Sequence, residues 1–332
     1  MSKPHSTVEI SIVIPLYNES GNIARLAEEI VKALPPKEVD YELLLVDDGS
    51  VDDTWSVIEE ACNSTPHIQG IRLSRNFGHQ NALLAGLSKA RGKAVISMDG
   101  DMQHPPSYLP ELIELWRQGN KVVSTKRTRT EHLGKFKTKT SEWFYKVFSW
   151  LSGVQIEEGS SDFRLIDRQV LTELLRFNDV NPFLRGAVKW LGFDKHTACL
   201  EYQVGQRHEG ESSYNLKRML NFANSAIVSF STKPLLLGIW LGLATSAIAF
   251  TELIYIIVLW SLGETVPGWA STVGIIALLF GVLFILLGVI GLYLSRIHTA
   301  LQQRPKFVIG NITEAIEPVE GSKTKQPEEL TS

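Results

Sequence analysis

The sequence has little cysteine and lacks the common nucleotide-binding fingerprints. Cys62 and Cys199 are its only cysteines, and they lie far apart without metal-ligand spacing, which argues against a disulfide framework. No GxGxxG pattern follows the first predicted strand, and GxxxxGK[ST] is absent, so dinucleotide and P-loop functions lose support. Residues 1–9 are polar, and we therefore expect no signal peptide.

Charge is almost absent from one long region near the C-terminus. Residues 235–260 form a 26-residue apolar stretch with Glu252 as its one charge, and residues 269–294 form another 26 without any. Each exceeds the roughly 20 residues that span a bilayer core. Because only the short connector 261–268 joins them, the sequence predicts a transmembrane hairpin within residues 233–296. The alternative is a hairpin buried in a protein core, and Glu252 is interpreted as an oligomer contact or a local polar site.

Basic residues flank this hairpin on one side only. Arg218 and Lys233 precede it, Arg296 and Arg304 follow it, and the connector has neither Lys nor Arg. The positive-inside rule therefore predicts a multi-pass protein with both termini in the cytoplasm.

The N-terminal part alternates short apolar runs with amphipathic segments. Predicted strands cover residues 10–14, 42–46, 68–73, 94–98 and 121–124, and predicted helices cover residues 21–34, 52–62, 79–90 and 107–118. This alternation predicts an α/β fold, a doubly wound, mostly parallel sheet with helices on both faces. Ligands of such sheets bind outside the carboxyl ends of the strands.

Polar clusters follow four of these strands. They are Pro15-Leu16-Tyr17-Asn18-Glu19, Asp47-Asp48-Gly49-Ser50, Ser74-Arg75-Asn76-Phe77-Gly78-His79 and Asp99-Gly100-Asp101-Met102-Gln103. Carboxylates at such a sheet edge can accept hydrogen bonds from a nucleoside, or hold Mg²⁺ or Mn²⁺ against a diphosphate. Solvated turns produce single acidic pairs as well, but four clusters at four strand ends favour a binding site.

These motifs carry a family resemblance. The first, second and fourth clusters resemble, in this order, the family 2 glycosyltransferases with a GT-A fold. Segments 75–79, 161–164 and 207–212 narrow the resemblance to polyprenyl-phosphate glycosyltransferases, which include dolichol-phosphate mannose synthases and bactoprenol-phosphate glucosyltransferases. The C-terminal hairpin is similar to that of the bactoprenol branch. Relatives often have Ser-Lys-Tyr where this chain has Ser212-Ser213-Tyr214, so no lysine there can be assigned to phosphate binding.

The resemblance implies inverting transfer of a hexose from a nucleotide sugar to a polyprenyl phosphate. The implied nucleotide-sugar residues are Pro15, Tyr17, Asn18, Glu19, Asp47, Asp48, Asn76, Asp99, Arg207 and Ser212. The implied ligands of Mg²⁺ or Mn²⁺ are Asp99, Asp101 and Gln103, and the catalytic candidates are Asp101, Asp162 and Arg164. Asp162 is either a general base or a residue that orients the acceptor, and its alternative is a salt bridge with Arg164. A bacterial inner-membrane location and a homo-oligomer, a tetramer, are also implied.

A basic, aromatic-rich segment follows the fifth predicted strand. Residues 121–146 contain eight basic and two acidic residues, and an apolar helical face with Trp143 and Phe148 follows. Residues 214–232 form a second predicted amphipathic helix. Such helices suit a bilayer interface, although their faces could simply pack on the sheet. We assign Lys126, Arg127 and Arg129 to the acceptor phosphate and expect no nucleic-acid partner.

The sequence leaves the sugar and some of the boundaries open. UDP-glucose is the preferred donor, with UDP-galactose, a UDP-aminopentose and GDP-mannose as alternatives. A processive polysaccharide synthase is disfavoured because residues 184–190 only approach the Gln-x-x-Arg-Trp motif of such enzymes. A non-catalytic scaffold is disfavoured because the acidic residues Asp99 and Asp101 are present.

The predicted units are a catalytic domain, 1–213, the juxtamembrane helix, the hairpin, and a cytoplasmic tail, 297–332, disordered in its last part.

Overall fold

The computed structural model describes residues 8–36, 38–128, 160–177, 183–203, 233–263 and 268–313. The strands are β1 Ile10–Leu16, β2 Tyr41–Asp47, β3 Ile68–Leu73, β4 Ala94–Ser97, β5 Val122–Arg127, β6 Ser160–Asp167, β7 Thr197–Tyr202 and β8 Ile309–Ile312. The α-helices are α1 Ile23–Ala33, α2 Thr54–Ser64, α3 His79–Lys89, α4 Leu109–Arg117, α5 Arg168–Leu175, α6 Leu184–Trp190, α7 Lys233–Ser261 and α8 Trp269–Leu301. Short 3₁₀ turns cover Pro106–Tyr108 and Asp194–His196.

The described strands form one mixed sheet in the order β7-β5-β6-β4-β1-β2-β3-β8. Its centre, β4-β1-β2-β3, is parallel, as predicted. Strand β6 runs antiparallel to both β4 and β5, and β8 runs antiparallel to β3, so the sheet is less uniformly parallel than the sequence suggests. The five predicted strands and four predicted helices are all present, with ends within three residues of their predicted positions.

Two hydrophobic layers cover the faces of the sheet. Every residue of β1 is buried, which explains why isoleucine, valine and leucine make up most of the strand. Helices α1, α2 and α4 pack on one face, and α3, α5 and α6 on the other. Helix α3 approaches β1 closely at Gly86, where an added Cβ would lie 2.3 Å from Val13 Cγ1. The carboxyl ends of the four central strands consequently meet at one edge of a rigid sheet.

The chain returns to this sheet after α8. Strand β8 pairs with β3, and the N–H of Ser74 donates to the carbonyl of Val308 at 2.9 Å. The hydroxyl of Thr313 accepts from the N–H of Gly70 at 2.8 Å. Residues 309–312, which the sequence analysis places in the tail, thus pair with the sheet of the N-terminal part, and the predicted domain boundaries stay predictions. A four-residue edge strand between turns has too little periodicity to be recognised in sequence.

Helices α7 and α8 are long, apolar and exposed. The windows Leu235–Leu259 and Gly274–Leu301 have mean hydropathies of 1.9 and 3.1, and neither is buried inside the protein. A core helix would hide such a surface, so the exposure fits two membrane spans better than the predicted alternative of a buried hairpin. Helix α8 continues past residue 294 to Leu301. The predicted juxtamembrane helix, 214–232, and the aromatic segment near residue 148 lie outside the described residues.

Candidate active site

The loops after β1 and β2 are fastened to each other. The N–H of Asn18 donates to Ser50 Oγ at 2.9 Å, and Asn18 Oδ1 accepts from the N–H of Val51 at 3.1 Å. The N–H of Glu19 donates to Thr54 Oγ1 at 3.0 Å. Asn18 has a φ of 55°, a left-handed conformation that asparagine tolerates better than most residues. These bonds make the first two predicted clusters one continuous surface.

Pro15 and Tyr17 occupy different environments on this surface. Pro15 lies inside β1 and is buried, whereas Tyr17 follows the strand end and is 45% exposed. An exposed aromatic ring beside a polar loop can stack on a planar ligand. The structure therefore gives Pro15 a supporting position and leaves the Tyr17 ring accessible.

Asp47 presents a carboxylate oxygen at the end of β2. The side chain is fully buried, Oδ1 accepts from the N–H of Ser50 at 2.8 Å, and Oδ2 lies 3.2 Å from Arg72 Nε. Oδ2 accepts no hydrogen bond from the described part of the chain. Gly49 follows with a φ of +66°, and a Cβ there would lie 2.4 Å from the carbonyl carbon of Arg75. The turn therefore requires glycine, and it holds Asp47 beside the β3 loop.

Asp48 fastens the β3 loop to the β2 loop. Its two carboxylate oxygens accept from the N–H groups of Phe77 at 2.7 Å and Gly78 at 2.9 Å. Burial raises the pKa of Asp48, while these two hydrogen bonds act in the opposite direction. Both oxygens thus stabilise the loop, which includes the exposed Asn76, and the predicted nucleotide contact of Asp48 stays a prediction.

Asp99 and Asp101 follow β4 on a tight loop. Asp101 accepts from the backbone N–H of Gln103 at 3.1 Å and from its side-chain Nε2 at 2.8 Å. Oδ1 of Asp99 is buried without a hydrogen bond from the described residues, and burial raises the pKa of this carboxyl. A divalent cation would favour the ionised form and give that oxygen a partner. The two carboxylates therefore fit a hard cation.

The protein alone supplies few ligands for such a cation. The described residues contain no group of three or more His, Cys, Asp or Glu side chains that could hold a metal. Gln103 directs its amide nitrogen to Asp101, which leaves its carbonyl oxygen as the possible ligand. A cation here would draw its remaining oxygens from substrate phosphates and water, as Mg²⁺ commonly does.

His104 is a site residue that the sequence analysis missed. Its fully buried ring accepts from the N–H of Asp99 at Nδ1, at 2.8 Å, and stacks on Phe163 with centroids 5.1 Å apart. Burial, with Arg127 acting in the same direction, lowers the pKa of His104 to about 3. The ring is therefore neutral, and its Nε2–H lies 3.2 Å from Ser161 Oγ. His104 holds the backbone of the loop that contains Asp99 and Asp101. Its position directly after Gln103 in the sequence is the signal that could have identified it as a site residue.

Asp162 lies at the centre of an arginine cluster. Arg185 contacts both carboxylate oxygens, at 2.8 and 2.7 Å, and Arg164 donates to Oδ1 at 3.0 Å. Gln80 Nε2 donates to Oδ2 at 3.1 Å. Burial by itself raises the pKa of Asp162, but Arg185 and Arg164 together hold it well below its usual range. The salt bridge with Arg164, which the sequence analysis gave as the alternative, is confirmed. The roles of Asp162 as a general base or as a residue that orients the acceptor both stay predictions.

Arg164 keeps its charge in this setting. Burial lowers the pKa of Arg164 to about 10, so the guanidinium stays protonated near neutral pH. No local pattern marked Arg185 or Gln80, because they reach Asp162 from separate helices.

His79 lies between the arginine cluster around Asp162 and the loop that contains Asp99 and Asp101. Its Nε2 lies 3.4 Å from Asp99 Oδ1 and 4.0 Å from Asp162 Oδ2, and its side chain is 45% exposed. The sequence analysis quoted His79 in a motif but gave it no role. Its position shows that the predicted catalytic residues Asp162 and Arg164 lie beside the predicted metal ligands.

Lys126 and Arg127 point to opposite faces of the sheet. In β5, Val123 and Thr125 share the face of Arg127, where Arg127 Nε donates to the hydroxyl of Tyr202 at 3.0 Å. Arg127 acts electrostatically on both Asp99 and His104, whereas Lys126 is paired in register with Glu201 on the other face. The structure thus separates two residues that the sequence analysis assigned to one phosphate. Arg129, Arg207 and Ser212 lie outside the described residues.

Several known proteins are similar to this chain. Residues 11–175 match the family described as Glycosyl transferase family 2. An uncharacterised glycosyltransferase of Bacillus subtilis (strain 168) is 37% identical over 91% of this chain and 93% of its own. The bactoprenol glucosyl transferase of Shigella phage SfV is 36% identical over 92% of this chain and 99% of its own. Glucosyl-3-phosphoglycerate synthase of Mycobacterium tuberculosis, solved with Mn²⁺ and UDP-glucose, is 21% identical over 67% of this chain and 78% of its own, with a TM-score of 0.43.

Proposed function

Because the chain belongs to glycosyl transferase family 2, we propose that it transfers a hexose from a nucleotide sugar to a polyprenyl phosphate with inversion. Glucose from UDP-glucose is the preferred donor sugar, since relatives such as that of Shigella phage SfV are bactoprenol glucosyl transferases. One observation carries the proposal. A carboxylate loop and a buried arginine cluster meet at the carboxyl edge of a sheet that is joined to two exposed apolar helices.

On the donor side, the nucleoside lies along the surface formed by the first two loops. Tyr17 offers a ring for stacking and Asp47 a hydrogen-bond acceptor. Asp99 and Asp101 hold Mg²⁺ or Mn²⁺, with Gln103 beside them, and the cation offsets the negative charge that develops on the leaving diphosphate. His104 keeps Asp99 in place through the backbone N–H.

On the acceptor side, a lipid phosphate oxygen attacks the anomeric carbon. A phosphate monoester has a second pKa of about 6, so the nucleophile is already anionic near pH 7 and a protein base is optional. Arg127 supplies a cation on the face of Asp99, and a charge-assisted bond to phosphate is roughly twice as strong as a neutral one. Asp162 acts by holding Arg164 and Arg185 in position rather than by taking a proton.

The membrane arrangement completes the proposal. The two apolar helices span the bacterial inner membrane as a hairpin, with the catalytic domain and both termini in the cytoplasm. The return of β8 to the sheet supports this topology, because the chain leaves the domain before α7 and rejoins it after α8. The absence of Lys and Arg from residues 261–268 supports the same orientation. The homo-oligomer stays a prediction.

The test uses the full chain in membranes with polyprenyl phosphate and a panel of radiolabelled nucleotide sugars. Asp101→Asn should lower transfer by more than about 100-fold and leave thermal unfolding unchanged, since a neutral amide is a poorer ligand for a hard cation. Transfer by this variant at the wild-type rate in EDTA would rule out the metal role.

Two variants in β5 test whether Arg127 binds the acceptor phosphate. Arg127→Ala should raise the apparent KM for polyprenyl phosphate about 10-fold or more and leave the KM for the nucleotide sugar unchanged. Lys126→Ala, on the opposite face of β5, should change neither constant by more than about twofold. Equal effects of the two variants would show that β5 contributes only general positive charge.

A further inference from the structure

The chain that follows α8 reaches the sheet at its carboxyl edge. Strand β8 runs antiparallel to β3, and its first residue, Ile309, pairs with Leu73, the last residue of β3. The connection from Leu301, residues 302–308, has seven residues, which reach at most about 25 Å when extended. The end of α8 therefore lies within that distance of the carboxyl end of β3, on the edge of the sheet that carries the candidate active site.

The connection is held by the helices on one face of the sheet. Lys306 Nζ donates to the carbonyl of Phe177, and Phe307 packs against the hydrophobic cluster under α3, α5 and α6. Helix α5, which Phe177 follows, starts at the amino edge, because Asp167 pairs with Ala94, the first residue of β4. Since α5 then runs back along the sheet, Phe177 lies on the side of this helix layer that the chain reaches from α8.

Trp190, the last residue of α6, lies against Phe177 with its ring exposed. The two rings are nearly perpendicular, with centroids 5.3 Å apart, and Trp190 is 67% exposed. Among the large apolar side chains that the structure describes outside α7 and α8, only Val51 exposes a larger fraction. Leu175, the last residue of α5, is also exposed. An indole has an apolar body and a polar N–H, and tryptophan is accordingly enriched at the boundary between bilayer and water.

The segment beside Phe177 has positive charge and no acidic residue. Residues 302–308 contain Arg304 and Lys306 but neither Asp nor Glu, and Arg304 is exposed. Anionic headgroups attract basic residues that adjoin a membrane span. A second copy of the chain fits this surface less well, because one indole offers at most about 250 Å², whereas a stable protein interface buries roughly 800 Å² on each partner.

We propose that Trp190, Phe177 and the basic connection 302–308 form an interfacial patch that contacts the headgroup layer of the bilayer. The proposal rests on the proposed function, in which α7 and α8 span that bilayer. The indole of Trp190 enters the boundary between headgroups and acyl chains, and Arg304 and Lys306 lie beside anionic headgroups. The carboxyl edge of the sheet is thereby held toward the membrane surface, where the phosphate of a lipid acceptor lies.

The experiment attaches an environment-sensitive fluorophore to one cysteine at a time in the full chain without Cys62 and Cys199. The chains are reconstituted in vesicles of phosphatidylethanolamine and phosphatidylglycerol. Trp190→Cys reports on the patch, Trp240→Cys on the exposed surface of α7, and Lys89→Cys on the far end of α3, at the amino edge.

Quenching by nitroxide lipids then gives the depth of each position. A nitroxide on the headgroup should lower the emission at residue 190 at least about twofold and leave that at residue 89 unchanged, because interfacial side chains lie within about 5–10 Å of the headgroup boundary. A nitroxide deep in the acyl chain should quench residue 240 most strongly. The Tm of unlabelled Trp190→Cys should equal that of the parent chain, since the side chain is mostly exposed.

The reference positions separate this proposal from the overall function. Quenching at residue 240, with no more quenching at residue 190 than at residue 89, overturns the proposal and leaves the membrane spans in place. Energy transfer between copies labelled at residue 190, without quenching by the headgroup nitroxide, also overturns it, because a second chain would then cover the patch. An absence of quenching at residue 240 would instead contradict the proposed membrane arrangement itself.

Discussion

Neutralising Asp162 should destabilise the protein more than it alters the chemical step. The carboxylate is buried and accepts from Arg185, Arg164 and Gln80. Asp162→Asn keeps the shape but removes the negative charge that faces two guanidinium groups, of which that of Arg164 is buried. Removing one partner of a buried ion pair costs about 3–5 kcal/mol. For a domain of this size that corresponds to a fall in Tm of roughly 6–20 °C.

The matched control is an exposed ion pair of the same domain. Asp194 pairs with Lys189 on the surface, and Asp194→Asn should lower the Tm by no more than about 2 °C, since surface salt bridges contribute little. Adding Arg185→Met to Asp162→Asn should restore part of the lost stability, because the second change removes one of the two positive charges that Asp162 had balanced. Thermal unfolding of the detergent-solubilised chains measures all four proteins.

Kinetics separate this structural role from base catalysis. The pKa of Asp162 lies well below its usual range, so the carboxylate stays ionised throughout an assay from pH 5 to 9. Any loss of rate on the acid side should therefore follow the acceptor phosphate, with an apparent pKa of about 6. The Asp162→Asn protein could instead keep the wild-type Tm and bind both substrates normally, yet show no turnover. This result would contradict the structural role of Asp162 and indicate that it acts as a general base.

Two further predictions concern the loop after β2 and the membrane hairpin. Gly49→Ala should weaken UDP binding at least about 10-fold in calorimetry, because the residue has a φ of +66° and its Cβ would meet the Arg75 backbone at 2.4 Å. Gly119→Ala is the control, in which UDP binding should not change: φ is also positive there, but no atom lies within 4 Å of an added Cβ. The hairpin is tested by labelling: a cysteine placed at Gly263, in a chain without Cys62 and Cys199, should react with an impermeant maleimide only from the periplasmic side. Labelling only from the cytoplasmic side would disprove the hairpin.

Much of the catalytic domain was predictable because its signals are local. The buried strands β1 and β2 are mostly apolar, and α1 and α4 have helical periodicity, so their positions follow from sequence spacing. The rule that ligands lie at the carboxyl ends of parallel strands then predicts that Asp47 and Asp99 share one edge of the sheet. The mixed outer part of the sheet was not predicted, since β6 and β7 pair with strands that are distant in sequence.

The sequence by itself determined the fold class, the family, the carboxylate loops and the two long apolar helices. Each of these depends on residues close together along the chain, where hydrophobic period, turn chemistry and length act directly. Only the tertiary structure decided which side chains share a site. It surrounded Asp162 with arginines, placed neutral His104 behind Asp99, and returned Asn311 to the catalytic sheet from beyond the two long apolar helices. The physical reason is that burial and ion pairing depend on distances in space, and strand pairing brings residues as far apart as Arg72 and Asn311 into contact.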